Sequence, residues 1–222
     1  MMIEVRNLTK KYRELTVIDD FSHSFDAGKV YGVMGENGAG KSTLFRCIAG
    51  IESYEGSVVV SDGKQIGYMN DTPFFYSYVT GMEYIEFCLR AKGKAINRDE
   101  IAKLNDKFAL PLNRYANRYS LGMKKRLMLL TLMLKDNDIV IMDEPFNGID
   151  LAGTILLRQW LKEMKAQGKC VILSSHIVAA IADICDKMTY IHKGKVVADF
   201  TGMTAEAIEQ YIINESIFLN SS

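Results

Sequence analysis

Proline is scarce in this 222-residue chain, with 3 in all, against 17 glycines and 4 cysteines. So little proline excludes collagen-like and polyproline chains, and the absence of low-complexity runs excludes a disordered one. Cys47, Cys88, Cys170 and Cys185 lie 41, 82 and 15 positions apart with no C-x-x-C pair. That spacing argues against a disulfide framework and reads as buried thiols in a reducing compartment. An excess of one charge is also missing, because 27 Lys plus Arg balance 27 Asp plus Glu. Net zero charge removes the bulk attraction of a general nucleic-acid or anionic-membrane binder, so any anion must be held locally. Long apolar runs are absent too: the richest stretch, 127–134, abuts Lys124, Lys125, Arg126 and Lys135 and falls well short of the ~20 residues of a span. Residues 1–12, with Glu4, Arg6, Lys10 and Lys11, lack the apolar segment of a signal peptide. The expectation is a cytosolic chain that does not cross a membrane by itself.

What is present is a globular composition, 48% hydrophobic and 24% charged, in a length suited to one large α/β domain. Alternating patterns at 3–5, 17–25, 57–60 and 65–69 read as an antiparallel sheet. Between them, 29–34 is a short apolar strand running through a Gly-rich segment into a helix at 41–49, ended by Gly50. From about 80 to 134 the period becomes helical: Met82, Tyr84, Ile85, Cys88 and Leu89 share one face, Ile101, Leu104 and Phe108 another, and Ser120 opens a third helix. Strand and helix then alternate: strands at 139–142, 170–173, 188–192 and 195–200, helices at 153–165 and 177–186. Such alternation predicts a parallel sheet covered on both faces. Thr204 caps a last helix to about 213, followed by a loose tail at 214–222. No internal repeat is visible. The division expected is a β region and phosphate-loop core at about 1–70, a helical subdomain at 71–135, the rest of the core at 136–200, and a C-terminal helix and tail at 201–222.

Gly35-Glu36-Asn37-Gly38-Ala39-Gly40-Lys41-Ser42, followed by Thr43, fits G-x-x-x-x-G-K-[ST]. In that loop backbone N–H groups wrap phosphates, the lysine reaches the terminal ones and the hydroxyl meets Mg²⁺. Average composition produces the pattern about once per hundred chains of this length, fewer between a strand and a helix. A second element, Ile139-Val140-Ile141-Met142-Asp143-Glu144-Pro145, ends a fully apolar strand in two carboxylates. Paired with the phosphate loop, Asp143 suits Mg²⁺ and Glu144 suits the attacking water. His23 and His192 have no Cys or His at ligand spacing and read as structural. Arg114, Arg118, Lys124, Lys125 and Arg126 read as a solvated or dipole-balancing face.

With Tyr119-Ser120-Leu121-Gly122-Met123-Lys124-Lys125-Arg126 shortly before the carboxylate strand, the chain resembles the ATP-binding cassette (ABC) proteins over nearly its whole length. The resemblance implies a P-loop NTPase (RecA-like) core with a mainly parallel sheet, an antiparallel β subdomain and an inserted helical subdomain. It implies ATP and Mg²⁺ as ligands, Tyr12 stacked on adenine, and Ser120 and Gly122 closing on the ATP of a second subunit. It further implies that 147–150, ending in Asp150, is exchanged across the dimer, and that His176 meets the γ-phosphate beside Lys41 and Glu144. The partners implied are a second cassette, like or unlike, and separate membrane permeases, with the chain peripheral to the cytoplasmic face and no nucleic acid bound.

Two departures stand out. Asp71 occupies the place where the family usually has a Gln that helps hold Mg²⁺ and senses the transporter, while Leu121 and Met123 replace the usual Gly and Gln. That Ser-Leu-Gly-Met-Lys form is similar to bacterial exporter subunits of drug, peptide and bacteriocin-immunity systems. Phe74, Phe75, Tyr76 and Tyr78 follow Asp71 and fit either a permease docking patch or the core of the helical insert. Other readings are a soluble ABC ATPase on ribosomes or DNA, disfavoured by one phosphate loop and only 48 positions from Asp71 to Tyr119; a regulatory cassette with weak hydrolysis; and a P-loop kinase, which leaves His176 and the signature segment unexplained.

Overall fold

The structure, a computed structural model, describes residues 1–219. Strands β1 (Ile3–Tyr12) and β2 (Leu15–Phe25) pair antiparallel. Strand β3 (Val30–Met34) leads through the Gly-rich loop into α1 (Lys41–Ile48), and β4 (Glu55–Val60) returns to pair antiparallel with β1. The next strand, β5 (Ile66–Met69), departs from the sequence expectation: it pairs in parallel with β6 (Ile139–Met142). Alternation reports which faces of a strand are wetted and carries no information on its partner. Here Gly67 seats β5 against the turn before β6, since a Cβ at that position would lie 2.1 Å from Asn137 Nδ2.

The helical insert comprises α2 (Gly81–Ala91), α3 (Arg98–Phe108) and α4 (Leu121–Lys135). Each begins on a side-chain cap that satisfies an otherwise orphaned N–H: Thr80 in a reciprocal box with Glu83, Asn97, and Ser120 accepting from Met123. Helix α5 (Leu151–Ala166), capped by Asp150, and β7 (Cys170–Ser175) follow. The helix expected at 177–186 is replaced by a 3-10 turn, Val178–Ala180, and irregular turns. Ile177, Val178, Ile181 and Ile184 are β-branched and poor helix formers, and the segment must press onto Gly32, where a Cβ would meet Ile181 Cδ1 at 2.9 Å. Antiparallel strands β8 (Lys187–His192) and β9 (Lys195–Phe200) finish the sheet. Thr204 accepts from Ala207 N ahead of α6 (Ala205–Leu219). That helix takes in most of the expected tail, of which 220–222 lie outside the described residues.

The large sheet has the order β5-β6-β7-β3-β8-β9, parallel except at β8–β9. Its inner strands are buried on both faces, and the period of two divides their side chains between two cores. Ile139, Ile141, Cys170, Ile172, Tyr31 and Val33 face α1 and the antiparallel sheet. Val140, Met142, Val171, Leu173, Val30 and Met34 face the other helices. Cys47 and Cys170 are buried free thiols, pushed up by burial to about 11 and about 12. Among the described residues no helix is long and apolar enough to cross a membrane.

Candidate functional site

Four neighbouring parallel strands, β5, β6, β7 and β3, end at one edge of the sheet, so whatever follows each of them converges there. After β3 comes the phosphate loop, after β5 Asp71, after β6 Asp143 and Glu144, and after β7 His176. The register places Met142 opposite Leu173 and Met34 opposite Ser175, which sets Asp143 beside Ser174. A cleft of about 300 Å³ results, lined by Tyr12, the loop, Lys41, Ser42, Thr43, Asp71 and Glu144.

Gly40, at φ +107°, starts α1 and leaves no room for a side chain, since a Cβ would stand 2.6 Å from Ile18 Cδ1. Gly38, at φ +83°, has open space where its Cβ would be. The first internal bond of the helix runs from Leu44 N to Gly40 O, so among the described residues the N–H groups of Lys41, Ser42 and Thr43 have no protein acceptor. Free N–H groups at the positive end of a helix dipole form an anion cradle. Lys41 is buried and donates to Gly35 O (2.6 Å) and Glu36 O (3.1 Å). Its ammonium stands 3.6 Å from Glu144 Oε1. Glu36 and Asn37 lie exposed at the loop's crest and Ala39 is buried beneath it.

Asp143, 2% exposed, accepts from the Ser174 hydroxyl at 2.6 Å, and the same hydroxyl accepts from Glu144 N at 2.8 Å. Glu144 holds φ at +46°, a left-handed conformation unusual for a residue with a side chain. Its Oε2 lies 2.9 Å from His176 Nδ1, while Oε1 is buried with no hydrogen-bond partner among the described residues. The cleft therefore offers an orphaned acceptor, a hydroxyl and carboxylates, hard oxygens of the kind Mg²⁺ takes. Among the described residues no cluster of three or more His, Cys, Asp or Glu could hold a metal unaided. Such a donor set fits a cation that receives its remaining oxygens from phosphates and water.

At the far end of the cleft Tyr12, 42% exposed, closes β1. Its hydroxyl donates to Glu52, which also takes Arg46 Nε at 2.5 Å. Burial works against the charge of Glu52, yet the bonds from Tyr12 and Arg46 outweigh it and hold the carboxyl below its ordinary range.

Ser120, Gly122 and Asp150 do not line this cleft. Ser120 is exposed at the cap of α4, a Cβ on Gly122 would lie 3.2 Å from Gly148 O, and Asp150 accepts from Gly153 N. The basic group needs a correction: Lys125 is 1% exposed rather than solvated. It turns inward to donate to Asp71 Oδ1 (2.8 Å) and Glu144 O (3.1 Å). Of the aromatic run, Phe75 is buried whereas Phe74, Tyr76 and Tyr78 are more than two-thirds exposed. Phe74, Phe75 and Tyr76 border an apolar groove of about 410 Å³ with exposed Phe87 of α2, whereas Tyr78 lies outside it. His23 packs against Phe25 and Tyr31, and burial lowers its pKa.

Sequence reasoning passed over Ser174 and Phe87 and misjudged Lys125. Ser174 was readable only from the strand register, and Lys125 was masked by the charges around it.

Comparison with known proteins gives one consistent answer. The family described as "ABC transporter" matches residues 18–147. The chain is similar to the bacitracin transport ATP-binding protein BcrA of Enterococcus faecalis, 30% identical over 89% of this chain and 68% of that one. It is similar also to the lantibiotic transport ATP-binding protein SrtF of Streptococcus pyogenes, 27% identical over 98% of each. Among solved structures, a dimeric ATP-binding cassette in a post-hydrolysis state with ADP and Pi superposes with a TM-score of 0.81 at 20% identity, covering 91% of this chain and all of the other.

Proposed function

The chain belongs to the ABC transporter family as an ATP-binding ATPase, and from that premise we propose that it powers export through separate membrane permeases as one half of a cassette dimer. The observation that carries this reading is the place of Glu144, which lines the cleft with Lys41 beside the free N–H groups of α1 and is tied behind it to His176 and, through Ser174, to Asp143, while the chain's own Ser120 stays outside.

In this reading the free N–H groups of Lys41, Ser42 and Thr43 and the Lys41 ammonium carry the phosphate charge, with no reorganisation needed as charge develops. Tyr12, its hydroxyl anchored on Glu52, offers its ring to adenine. A bound Mg²⁺ would supply positive charge that offsets the charge of the phosphates. Ser42, Asp143 and Asp71 would hold it, Asp71 lining the cleft while it accepts from Lys125 at Oδ1. Glu144 accepts a proton from the attacking water, and His176 holds the Glu144 carboxylate and faces the γ-phosphate.

Ser120 and Gly122, outside their own cleft, would complete the partner's, together with the 147–150 loop that meets Gly122 at Gly148 and ends in Asp150. Two copies, or this chain and an unlike cassette, would then enclose two nucleotides and part after hydrolysis. The exposed aromatics Phe74, Tyr76 and Phe87 are the docking patch for a permease on the cytoplasmic face of the membrane. Their exposure favours docking over a role in the core of the insert. Export, as against import, rests on the likeness to bacitracin and lantibiotic transport subunits.

Steady-state ATP hydrolysis by the purified chain beside Glu144→Gln, with size-exclusion runs of both with and without ATP·Mg²⁺, tests the motor. Hydrolysis by the wild type and an ATP-dependent dimer in the variant are expected. Unimpaired hydrolysis by Glu144→Gln would sink the assignment.

A further inference from the structure

The buried cation between the helical insert and the sheet leads beyond this reading. Lys125 lies on α4, five residues past the Ser120 cap, with a side chain 2% exposed. An ammonium so deep in a protein requires both a counter-charge and acceptors. Asp71 supplies the first at 2.8 Å, and the main-chain carbonyl of Glu144 supplies another acceptor at 3.1 Å. That carbonyl also accepts from Asn147 N at 3.2 Å, so both of its lone pairs are engaged.

Glu144 is thereby gripped along its length. Its N–H is held by Ser174, its carboxylate stands between His176 and Lys41, and its carbonyl is held by Lys125, all at a left-handed φ that the surroundings must impose. Ser174 and His176 come from the end of β7 and Lys41 from α1. Lys125 is the one side chain of the helical insert bonded to Glu144 among the described residues.

We infer that Lys125 is a positioning residue for hydrolysis: its ammonium, neutralised by Asp71, fixes the Glu144 carbonyl and so sets the aim of the Glu144 carboxylate. The inference rests on the reading of Glu144 as the group that acts on water. It gives a physical reason for an acid at position 71, because a neutral Gln there would leave a buried ammonium without its counter-charge. It also joins two sites mechanically. A displacement of α4 as Ser120 engages a nucleotide in the partner moves the Lys125 ammonium, and with it the main chain of Glu144.

The test is a three-variant cycle read by kcat, KM and the melting temperature of the nucleotide-free protein, with Glu144→Gln as control. Lys125→Met keeps the volume and removes the donor. It should lower kcat about tenfold to a hundredfold while KM for ATP stays within about twofold. Asp71→Asn leaves the ammonium uncompensated and should lower the melting temperature. In the double variant Asp71→Asn/Lys125→Met the melting temperature should recover while kcat stays at or below the Lys125→Met level. Recovery of kcat together with stability would make Lys125 a merely structural cation and overturn the inference, as would wild-type kcat in Lys125→Met. Should Lys125→Met fail to fold, the double variant read against Asp71→Asn decides: a kcat below that of Asp71→Asn is expected, and a kcat equal to it overturns the inference. An inactive Glu144→Gln beside wild-type kcat in Lys125→Met defeats this inference alone, whereas an active Glu144→Gln defeats the reading beneath it.

Discussion

The strand edge of the parallel sheet and the start of α4 carry equally recognisable motifs, yet only the first forms a closed set of contacts within the chain. At the strand edge Lys41, Asp143, Ser174, Glu144 and His176 hold one another through hydrogen bonds and ion pairs between 2.6 and 3.6 Å. At the α4 start Ser120 does no more than cap its own helix and stands exposed, with Gly122 against the loop at Gly148. A sheet edge gathers side chains because the strands are already neighbours, whereas a helix end gathers nothing until something docks on it. The contrast teaches that, in the proposed function, the chain carries its phosphate-handling half within itself while the other half would be completed by a second molecule.

Two substitutions separate the halves. Lys41→Met removes the buried cation of the phosphate-handling half and should lower hydrolysis on the order of a thousandfold, with weaker nucleotide binding in a fluorescence titration. Ser120→Arg should lower hydrolysis about a hundredfold and leave nucleotide binding by the single chain unchanged. Mixing the two inactive proteins sharpens the comparison: a mixed dimer holds one site with an intact Lys41 facing an intact Ser120, so part of the activity should return. No recovery on mixing would mean that Ser120 serves its own chain.

A smaller effect probes the rigidity of the phosphate-handling half. Ser174→Ala strips a partner from Asp143 and from the N–H of Glu144 in a buried place. About 1–3 kcal/mol of stability should be lost in urea unfolding, with a lower kcat. A variant as stable as the wild type would show that the sheet edge tolerates slack where the geometry shows none.

Much of this was legible in the sequence, and unevenly so for physical reasons. Helix starts at Ser120 and in the phosphate loop were readable because capping and glycine chemistry are local. The partner of β5 was not, because pairing is a long-range choice that a period of two does not encode. The segment after β7 failed as a helix because its packing on Gly32 outweighs its pattern. Lys125, one of three consecutive basic residues, looked solvated, and only the meeting of α4 with the loop after β5 reveals that it turns inward. Residues whose function depends on their neighbours in sequence are legible; those whose function depends on neighbours in space wait for the fold.

The smallest expected effect lies at the Tyr12 end of the cleft, beside the antiparallel sheet. Glu52 takes bonds from both Tyr12 and Arg46 and its carboxyl titrates below the ordinary 4.5. A folded-state value depressed in this way contributes stability that is fully present above the unfolded-state value and is lost as pH falls through the folded-state one. Glu52→Gln removes that contribution, so the gap in unfolding free energy between wild type and variant should be about 1–2 kcal/mol at pH 7 and should shrink on acidification below 4.5. Other depressed carboxylates such as Asp138 and Asp199 titrate in both proteins and cancel in the difference. Urea unfolding of the pair at pH 7 and pH 3 measures it. A gap that persists unchanged at pH 3 would mean that Glu52 acts through packing rather than charge, and that the anchor of Tyr12 is indifferent to protonation.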